Sequence, residues 1–476
     1  MSDPLRRRIA KLQSILDVAK AMAAERDLDP LLDLILREAA AVVEADRCTL
    51  FLVDRGRGEL WSKIAHGTGE IRVRLGTGIA GAVAATAQPV RIDDAYADPR
   101  FAREVDRSTG YRTRSILCVP MLSTRREVVG VLQALNRRDG TFTADDEELL
   151  VALGGQAAGA IENAQLHEEI ERLFEGFVHA SVGAIEARDP TTAGHSRRVA
   201  DYTLSLARAV EAAPPPDRLG TRFRPDELRQ LKYAALLHDF GKVGVREHVL
   251  VKADKLYPHE RDLLESRFGL IRARLELERA EARAAGRPAD GAERRLAELA
   301  GLWQVVVDCN RPTVLDEDRS RELKRLAGLS WREGGEERPY LTPREFQLLS
   351  IPRGSLSEEE RRQIESHVSH TFEFLSQIPW TRTLTRVPEI AYTHHEKLDG
   401  RGYPRGVAAG DIRVETRMMT IADIYDALTA SDRPYKRAVP PEKALDILAQ
   451  EAKGGQVDPG LLGVFVSSGS WRLPAR

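Results

Sequence analysis

The hydrophobic pattern changes its period along the chain. Apolar residues recur at helical spacing from Ile9 to about Glu44, and short apolar runs bounded by turn residues follow as far as Asn136. The expected strands are Thr49–Val53, Leu60–Trp61, Ile71–Leu75, Val90–Ile92, Ser115–Met121 and Val128–Asn136, with a small-residue helix at Gly76–Ala87. Helices that flank an antiparallel sheet predict an α+β domain in this part of the chain.

A long helix is predicted from Asp145 to Arg188, beyond which Pro190 breaks the pattern. The apolar residues that recur along it at intervals of four and three are Leu166, Ile170, Leu173, Phe177, Ala180 and Ala184. This spacing is typical of the a/d seam of a coiled coil, and it predicts a parallel homodimer. Packing within one chain stays an alternative, because the run spans fewer than three heptads.

Composition and charge narrow the classes of partner and compartment. The net charge of −2 and the pI near 6.6 lack the basic excess of nucleic-acid and membrane-surface binders. Cys48, Cys118 and Cys309 are widely spaced among apolar residues, which does not favour a disulfide framework. No run approaches the ~20 apolar residues that a membrane span needs. We therefore expect a cytoplasmic protein without nucleic-acid or membrane partners.

The candidate chemistry is densest at His394–Pro404, where two adjacent histidines are followed by two carboxylates, two glycines and Tyr-Pro. Apolar helical runs deliver His238-Asp239 upstream and Asp423 downstream. With two further histidines, the candidate ligands are His195, His238, Asp239, His367, His394, His395 and Asp423. These groups are too many for one closed structural zinc site, and they suit a site for two metals.

Five ordered motifs resemble those of the HD-GYP family. They are Gly194-His195-Ser196-x-Arg198-Val199, His238-Asp239-x-Gly241-Lys242-Val243-Gly244, His394-His395-Glu396-x-x-Asp399-Gly400-x-Gly402-Tyr403-Pro404, Asp423-x-x-Asp426-Ala427-Leu428-Thr429 and Arg433-Pro434-Tyr435-Lys436. The resemblance covers roughly residues 175–460. It implies an all-α domain of the HD superfamily, placed at 175–465, that hydrolyses cyclic dinucleotides and above all cyclic di-GMP.

The resemblance also implies how the candidate ligands divide. One metal would take His195, His238, Asp239 and Asp423, and the other would share Asp239 and take His367, His394 and His395. His370 is the alternative to His367, three residues along the same helix. Thr191 stands where members with three metals have a carboxylate, so we expect two. Mixed nitrogen and oxygen donors suit divalent transition metals, with iron or manganese expected.

The residues beside the candidate ligands suggest how a phosphodiester would be hydrolysed. Two divalent cations ~3.5–4 Å apart activate a water for in-line attack on phosphorus. Asp239 would act as the bridging catalytic ligand, and Lys242 would neutralise charge on the phosphate oxygens. Arg433 and Lys436 are further candidates for substrate binding, although Arg433 lies one residue further along than the family pattern expects. The products would be linear pGpG, GMP or both.

The N-terminal third resembles a GAF domain over residues 10–165. The motifs are Gly76-x-Gly78-Ile79-Ala80-Gly81, Ser115-Ile116-Leu117-Cys118-Val119-Pro120 and Gly130-Val131-Leu132-Gln133-Ala134-Leu135-Asn136. The residues Asn136, Arg137, Phe142, Asp146 and Glu147 are similar to the signature of cyclic-nucleotide-binding GAF domains, with arginine where lysine is commoner. They imply a cyclic nucleotide or another small-molecule ligand. In the alternative interpretation Phe142 belongs to the core and the two acids begin the next helix.

The predicted architecture is therefore an α+β GAF domain, a connecting helix at 145–188 and an all-α HD domain. Residues 268–353 interrupt the HD domain, and they predict a helical hairpin at Ile271–Ala285 and Ala292–Val307. A lid or a partner-docking arm is the alternative for this insertion.

The expected function is a metal-dependent cyclic di-GMP phosphodiesterase that the GAF domain regulates. One alternative is a catalytically silent receptor for cyclic dinucleotides, which would not need the complete ligand set. The other is an HD phosphohydrolase acting on another nucleotide, such as cyclic GMP-AMP.

Overall fold

The computed structural model describes residues 15–62, 71–189, 193–213, 222–430 and 438–473. The chain divides into two compact units, Met1–Glu175 and Gly176–Arg476. Among the described residues, no helix is both long enough and apolar enough to cross a membrane. The three cysteines are buried and unpaired within this part of the chain, and burial raises the pKa of Cys48 to about 12.

The first unit is built on a six-stranded antiparallel sheet. Its strands are β1 (Ala45–Asp54), β2 (Glu59–Ser62), β3 (Ile71–Arg74), β4 (Val90–Ile92), β5 (Ile116–Leu122) and β6 (Val128–Arg137), in the order β3-β2-β1-β6-β5-β4. Strand β1 begins four residues before the predicted Thr49, because Ala45 already pairs with Arg137. The polar pair Asp46-Arg47 hid this start from the hydrophobic pattern.

Helices cover both faces of the sheet. They are α1 (residues 15–24), α2 (Leu28–Val42), α3 (Gly78–Thr86), α4 (Arg103–Thr109) and the first part of α5 (Ala144–Arg188). Leu31 and Ile35 of α2 share one core with Leu153 and Ile161 of α5. Helix α3 packs on the other face, where a Cβ at Gly81 would lie 2.5 Å from the carbonyl oxygen of residue 74. This arrangement confirms the predicted α+β class.

Helix α5 contains the predicted dimer seam. In the single chain Leu166, Ile170, Leu173 and Phe177 are exposed, and Leu173 is 76% accessible. An exposed apolar seam is what a two-stranded interface requires. The homodimer stays a prediction.

The second unit is mainly helical. Its helices are α6 (His195–Ala212), α7 (Pro225–Leu237), α8 (Glu247–Leu250), α9 (Pro258–Ala284), α10 (Asp290–Asn310), α11 (Glu317–Ala327), α12 (Pro343–Leu349), α13 (Glu358–Glu365), α14 (His367–Ser376), α15 (Val387–Tyr392), α16 (Val414–Thr429), α17 (Pro441–Lys453) and α18 (Pro459–Ser467). Helices α6, α7, α14, α15 and α16 pack together, and the candidate ligands lie on them or directly after the ends of α7 and α15.

The insertion has a hydrophobic core of its own, to which Phe268, Leu302, Leu326 and Leu349 belong. Helices α9 and α10 form the predicted pair, but α9 begins at Pro258 rather than Ile271. Proline at the first helical position and the carboxylate of Glu260, which accepts from the backbone N–H of residue 257, explain the earlier start. The insertion also contains α11, α12 and a hairpin of β7 (Ser330–Glu333) and β8 (Glu336–Pro339), none of which the hydrophobic pattern indicated.

Candidate metal centre

The His238-Asp239 pair follows directly on α7 and lies against α14. A Cβ at Gly241 would fall 1.9 Å from the carbonyl oxygen of His367, so only glycine permits this approach. Thr371 fixes the contact, because its hydroxyl accepts from the backbone N–H of Gly241 at 2.8 Å and donates to the carbonyl of His238 at 2.9 Å. Thr371 was not among the predicted site residues, and its partner His238 is 133 residues away along the chain.

Three histidines present the same nitrogen to the site. In His238, His367 and His394 the Nδ1 atom lies 2.7, 2.6 and 2.6 Å from the carbonyl oxygen three residues earlier. Since a carbonyl can only accept, each Nδ1 carries the proton and each Nε2 keeps its lone pair. These buried Nε2 atoms have no hydrogen-bond partner among the residues that the structure describes. A buried imidazole that is oriented from behind is the usual arrangement of a metal ligand.

His195 is oriented by a carboxylate instead. Its Nδ1 lies 2.8 Å from Oδ2 of Asp426, which leaves Nε2 at 3.2 Å from Asp423 and 3.7 Å from Asp239. The guanidinium of Arg198 donates to both oxygens of Asp426, at 2.6 and 3.0 Å. Asp426 was not among the predicted site residues, although its position three residues after Asp423 was a signal.

The ligand atoms form two clusters. His195, His238 and Asp239 make one, and His367, His394 and His395 make the other, with the atoms of each cluster within 4.8 Å of one another. The two oxygens of Asp239 face different clusters: Oδ1 is 3.3 Å from His367, and Oδ2 is 3.5 Å from His238.

Asp423 divides its oxygens between the same two clusters. Its Oδ1 lies 3.2 Å from His195 Nε2, and its Oδ2 lies 3.8 Å from His395 Nδ1. The structure thus brings all seven predicted ligands together. Buried imidazoles with free Nε2 atoms around two shared carboxylates fit two divalent metal ions.

Most of the site already has the protonation states that metal ligands need. Burial lowers the pKa of His367, holds that of His394 well below its usual range and lowers that of His395 to about 3. Burial alone would raise the pKa of Asp239, but the positive charge of Lys242 holds it well below its usual range. Neutral histidines and an ionised carboxylate result.

His195 differs from the other histidines. Burial alone would lower its pKa, but hydrogen bonds to Asp423 and Asp426 raise it to about 9. In the metal-free protein the imidazole is therefore protonated at neutral pH, and metal binding has to displace that proton.

Lys242 places a partly buried positive charge beside the shared carboxylate. Its Nζ lies 2.8 Å from Oδ2 of Asp239 and 3.4 Å from Oδ2 of Asp189. Burial alone would lower its pKa, but Asp239 and Asp189 raise it. Lys242 therefore stays charged at the edge of the cluster.

The loop after His395 is shaped by its own carboxylates. Both oxygens of Glu396 accept backbone N–H groups, from Arg405 at 2.7 Å and Val407 at 3.1 Å. A Cβ at Gly402 would lie 2.3 Å from the backbone nitrogen of residue 397. The ring of Tyr403 lies 4.8 Å from that of His395, whose side chain is 27% exposed. This is the open side of the site.

Some positions used in the sequence analysis lie outside the described residues, among them residues 9–14, Pro190, Pro434 and Tyr435. Three more of them bear on the site. They are Thr191, Arg433 and Lys436. The expectation of two metals and the substrate-binding roles of the two cations stay predictions.

The five candidate GAF ligand residues are all engaged within the first unit. Arg137 donates to Asp146 at 3.0 Å, Phe142 is a buried core residue, Asn136 bonds the backbone of the adjacent loop and Glu147 pairs with an arginine of β4. None of them is among the described residues that line the cavity of about 170 Å³ beside the sheet. The geometry favours the interpretation in which these side chains stabilise the domain.

Models of known families match the N-terminal and the C-terminal part of the chain separately. Residues 27–161 match the family model described as GAF domain, and residues 192–301 and 339–461 match two models described as HD domain. The chain carries a GAF domain and an HD domain. The two HD matches leave residues 302–338 between them, within the insertion.

Two curated relatives are similar over part of the chain. A probable 3′,5′-cyclic phosphodiesterase, pde-5, of Caenorhabditis elegans is 35% identical over 33% of this chain and 24% of its own length. A dual 3′,5′-cyclic-AMP and -GMP phosphodiesterase 11A of Takifugu rubripes is 40% identical over 32% of this chain and 18% of its own length. The chain thus spans a quarter or less of the relatives it matches.

Solved structures described as GAF domains are among those that match part of the chain. The GAF domain of a phosphoenolpyruvate-protein phosphotransferase from Coxiella burnetii covers 34% of this chain and 98% of its own, with 21% identity and a TM-score of 0.32.

Proposed function

We propose that the HD domain is a metal-dependent phosphodiesterase and that its substrate is cyclic di-GMP. The observation that carries the proposal is the pair of clusters joined by Asp239, with three imidazoles whose Nε2 atoms are buried and free of partners among the described residues. The HD-GYP motifs, with the complete loop from His394 to Pro404, favour a cyclic dinucleotide over other phosphodiesters.

Each side chain of the proposed reaction has a defined task. When bound, two divalent cations would supply an activated water for in-line attack on phosphorus. Asp239 and Asp423 would each share their two oxygens between the clusters. Lys242 holds a positive charge next to Asp239, where it would stabilise charge that builds on the phosphate oxygens. The substrate would enter past His395 and Tyr403, on the exposed side.

A second substrate class is favoured by the curated relatives. Both carry names of phosphodiesterases for 3′,5′-cyclic nucleotides. Cyclic AMP and cyclic GMP are therefore the alternative substrates, together with the hybrid dinucleotide cyclic GMP-AMP.

For regulation, we propose that the GAF domain binds a cyclic nucleotide or another small molecule in its cavity. The lining includes Phe51, Val73, Ile79, Phe101, Tyr111 and Gln133. An apolar, partly aromatic wall with a few polar groups is typical of small-molecule sites.

Product analysis tests the proposed activity. Full-length protein, prepared anaerobically and loaded with manganese or iron, is incubated with cyclic di-GMP, cyclic GMP-AMP, cyclic AMP and cyclic GMP in parallel. We expect pGpG or GMP from cyclic di-GMP. His238→Ala and Asp239→Asn should lower the rate at least about 100-fold, since they remove ligands and not only their supports.

The exposed His259 provides the control, because His259→Ala removes an imidazole that lies outside the clusters. If only cyclic AMP or cyclic GMP is hydrolysed, the proposed substrate is wrong and the mononucleotide alternative takes its place. A protein that binds metal and cyclic di-GMP yet hydrolyses none of the four would be a receptor.

A further inference from the structure

The last turn of α5 contacts the segments that carry the metal clusters. The carboxylate of Glu186 accepts from the backbone N–H of Gly194 at 2.9 Å, immediately before His195. Two residues on, the guanidinium of Arg188 donates to the carbonyl oxygen of Val245 at 3.2 Å, just beyond the His238-Asp239 segment. The end of this helix thus holds the turns on either side of the site.

The contact at Gly194 occurs where the backbone has little freedom. Gly194 has a φ of +68°, which favours glycine, and a Cβ there would lie 2.9 Å from Nη1 of Arg198. That same Nη1 donates to the carbonyl of Ala193 at 3.0 Å. Glu186 and Arg198 therefore fix the two residues that precede α6, one by accepting and one by donating.

Arg198 connects this turn to the metal ligand. Its Nε donates to Asp426 at 2.6 Å, and the other oxygen of Asp426 orients Nδ1 of His195 at 2.8 Å. A displacement of the turn would shift Arg198, then the carboxylate and then the imidazole. The chain of contacts from Glu186 to His195 is made of hydrogen bonds at 3.0 Å or less.

We propose that Glu186 is a positioning residue through which the last turn of α5 sets the geometry of the cluster containing His195. The proposal deepens the proposed function and rests on it, because it names how metal binding at that site is controlled. Helix α5 begins at Ala144, in the GAF domain, so its last turn is the place where a signal from that domain would change the site.

Metal titration of the full-length protein tests this role without relying on turnover. Metal-free parent, Glu186→Ala and Glu186→Gln are titrated with Mn²⁺ by calorimetry, and with Co²⁺ by its visible absorption. In the parent we expect two sites. In Glu186→Ala one site should weaken about tenfold, the range for loss of a residue that supports a ligand, while the other is unchanged.

The amide variant and a matched glutamate separate positioning from general damage. Glu186→Gln keeps an oxygen that accepts from Gly194 N–H, so its affinities should stay near those of the parent. Glu169→Ala makes the same change at an exposed position of the same helix and should leave both sites unaltered. If Glu186→Ala does not fold, Glu186→Asp, whose carboxylate is set back by one methylene, takes its place.

The outcome distinguishes the two proposals. If each of the two sites binds metal as tightly in Glu186→Ala as in the parent, the positioning role is overturned. A parent that binds two metals but hydrolyses no cyclic nucleotide would overturn the proposed function, and the titrations would still decide the role of Glu186.

Discussion

The protonation of His195 is a residue-level property that affects metal binding. With a pKa of about 9, His195 carries an additional proton at pH 7 in the metal-free protein. A metal-bound His195 would not carry that proton. Metal affinity should therefore rise with pH up to about 9 and then level off. Burial lowers the pKa of His367, His394 and His395, so these histidines contribute no such dependence on pH.

The release of this proton can be measured. We expect about one proton to be released per protein from His195 when Mn²⁺ binds at pH 7, because a ligand must be deprotonated before it coordinates. Calorimetric titrations in two buffers with different protonation enthalpies give the number. A titration at pH 10, above the raised pKa, is the control, and equal release at both pH values would contradict the assignment to His195.

At this scale the predicted ligands and the missed residues differ in kind. Six of the seven predicted ligands could be proposed because each has a chemically distinctive side chain within an ordered motif, whereas His367 lies between two of the motifs and His370 was its alternative. Asp426 and Thr371 act through partners 231 and 133 residues away, which no local pattern connects. The spacing after Asp423 drew attention to Asp426, but which ligand each of these residues orients is recognisable only when the helices are packed.

Among the elements, the approach of α14 to the turn after α7 depends on one glycine. In Gly241→Ala the Cβ would meet backbone atoms of His367 and Thr371 at 1.9 and 2.5 Å, which cannot move aside cheaply. We expect a loss of about 1–3 kcal/mol of stability from overpacking, with weaker metal binding at the cluster of His367. Thermal unfolding and metal titration measure both effects.

A helical glycine elsewhere provides the comparison for this variant. Gly269 lies within α9, where an added Cβ would meet none of the described atoms within 4 Å. Gly269→Ala should raise stability slightly, because alanine favours helix by up to about 1 kcal/mol. Unaltered metal binding in Gly241→Ala would contradict the close contact.

Elements were predictable where the hydrophobic pattern was strong. The strands of the GAF sheet follow their apolar runs to within a few residues, whereas β7 and β8 are largely exposed and charged and gave no alternation. Their turn, Gly334-Gly335, was the available signal, since both glycines have positive φ. The start of α9 at Pro258 was missed because its proline and its capping carboxylate lie ahead of the stretch whose pattern predicted the helix.

For the molecule as a whole, the oligomeric state is the property that the seam on α5 predicts. The seam on α5 predicts a parallel dimer, which Leu173→Glu together with Ile170→Glu should convert to a monomer by placing charges in the interface. Sedimentation velocity measures the change. Arg172→Glu, an exposed position off the seam, is the control. A parent that sediments as a monomer would rule out the predicted homodimer.

The order and the fold class of the domains were predictable because each domain has its own spacing of hydrophobic residues and its own motifs. The α+β GAF domain precedes the helical HD domain as expected. The substrate could not be derived in the same way. The choice between one cyclic nucleotide and another depends on the shape of the open side of the site, which no sequence motif describes.

The bonds behind the histidines have a consequence for exchange kinetics. His238, His367 and His394 are each anchored within their own turn of chain, so their orientation does not depend on the cation. Loss of an ion should leave the pocket ready to take up another without rearrangement. Uptake would then require only access past the open side and release of the proton of His195, and the fraction of metal-loaded protein would follow the supply of free metal.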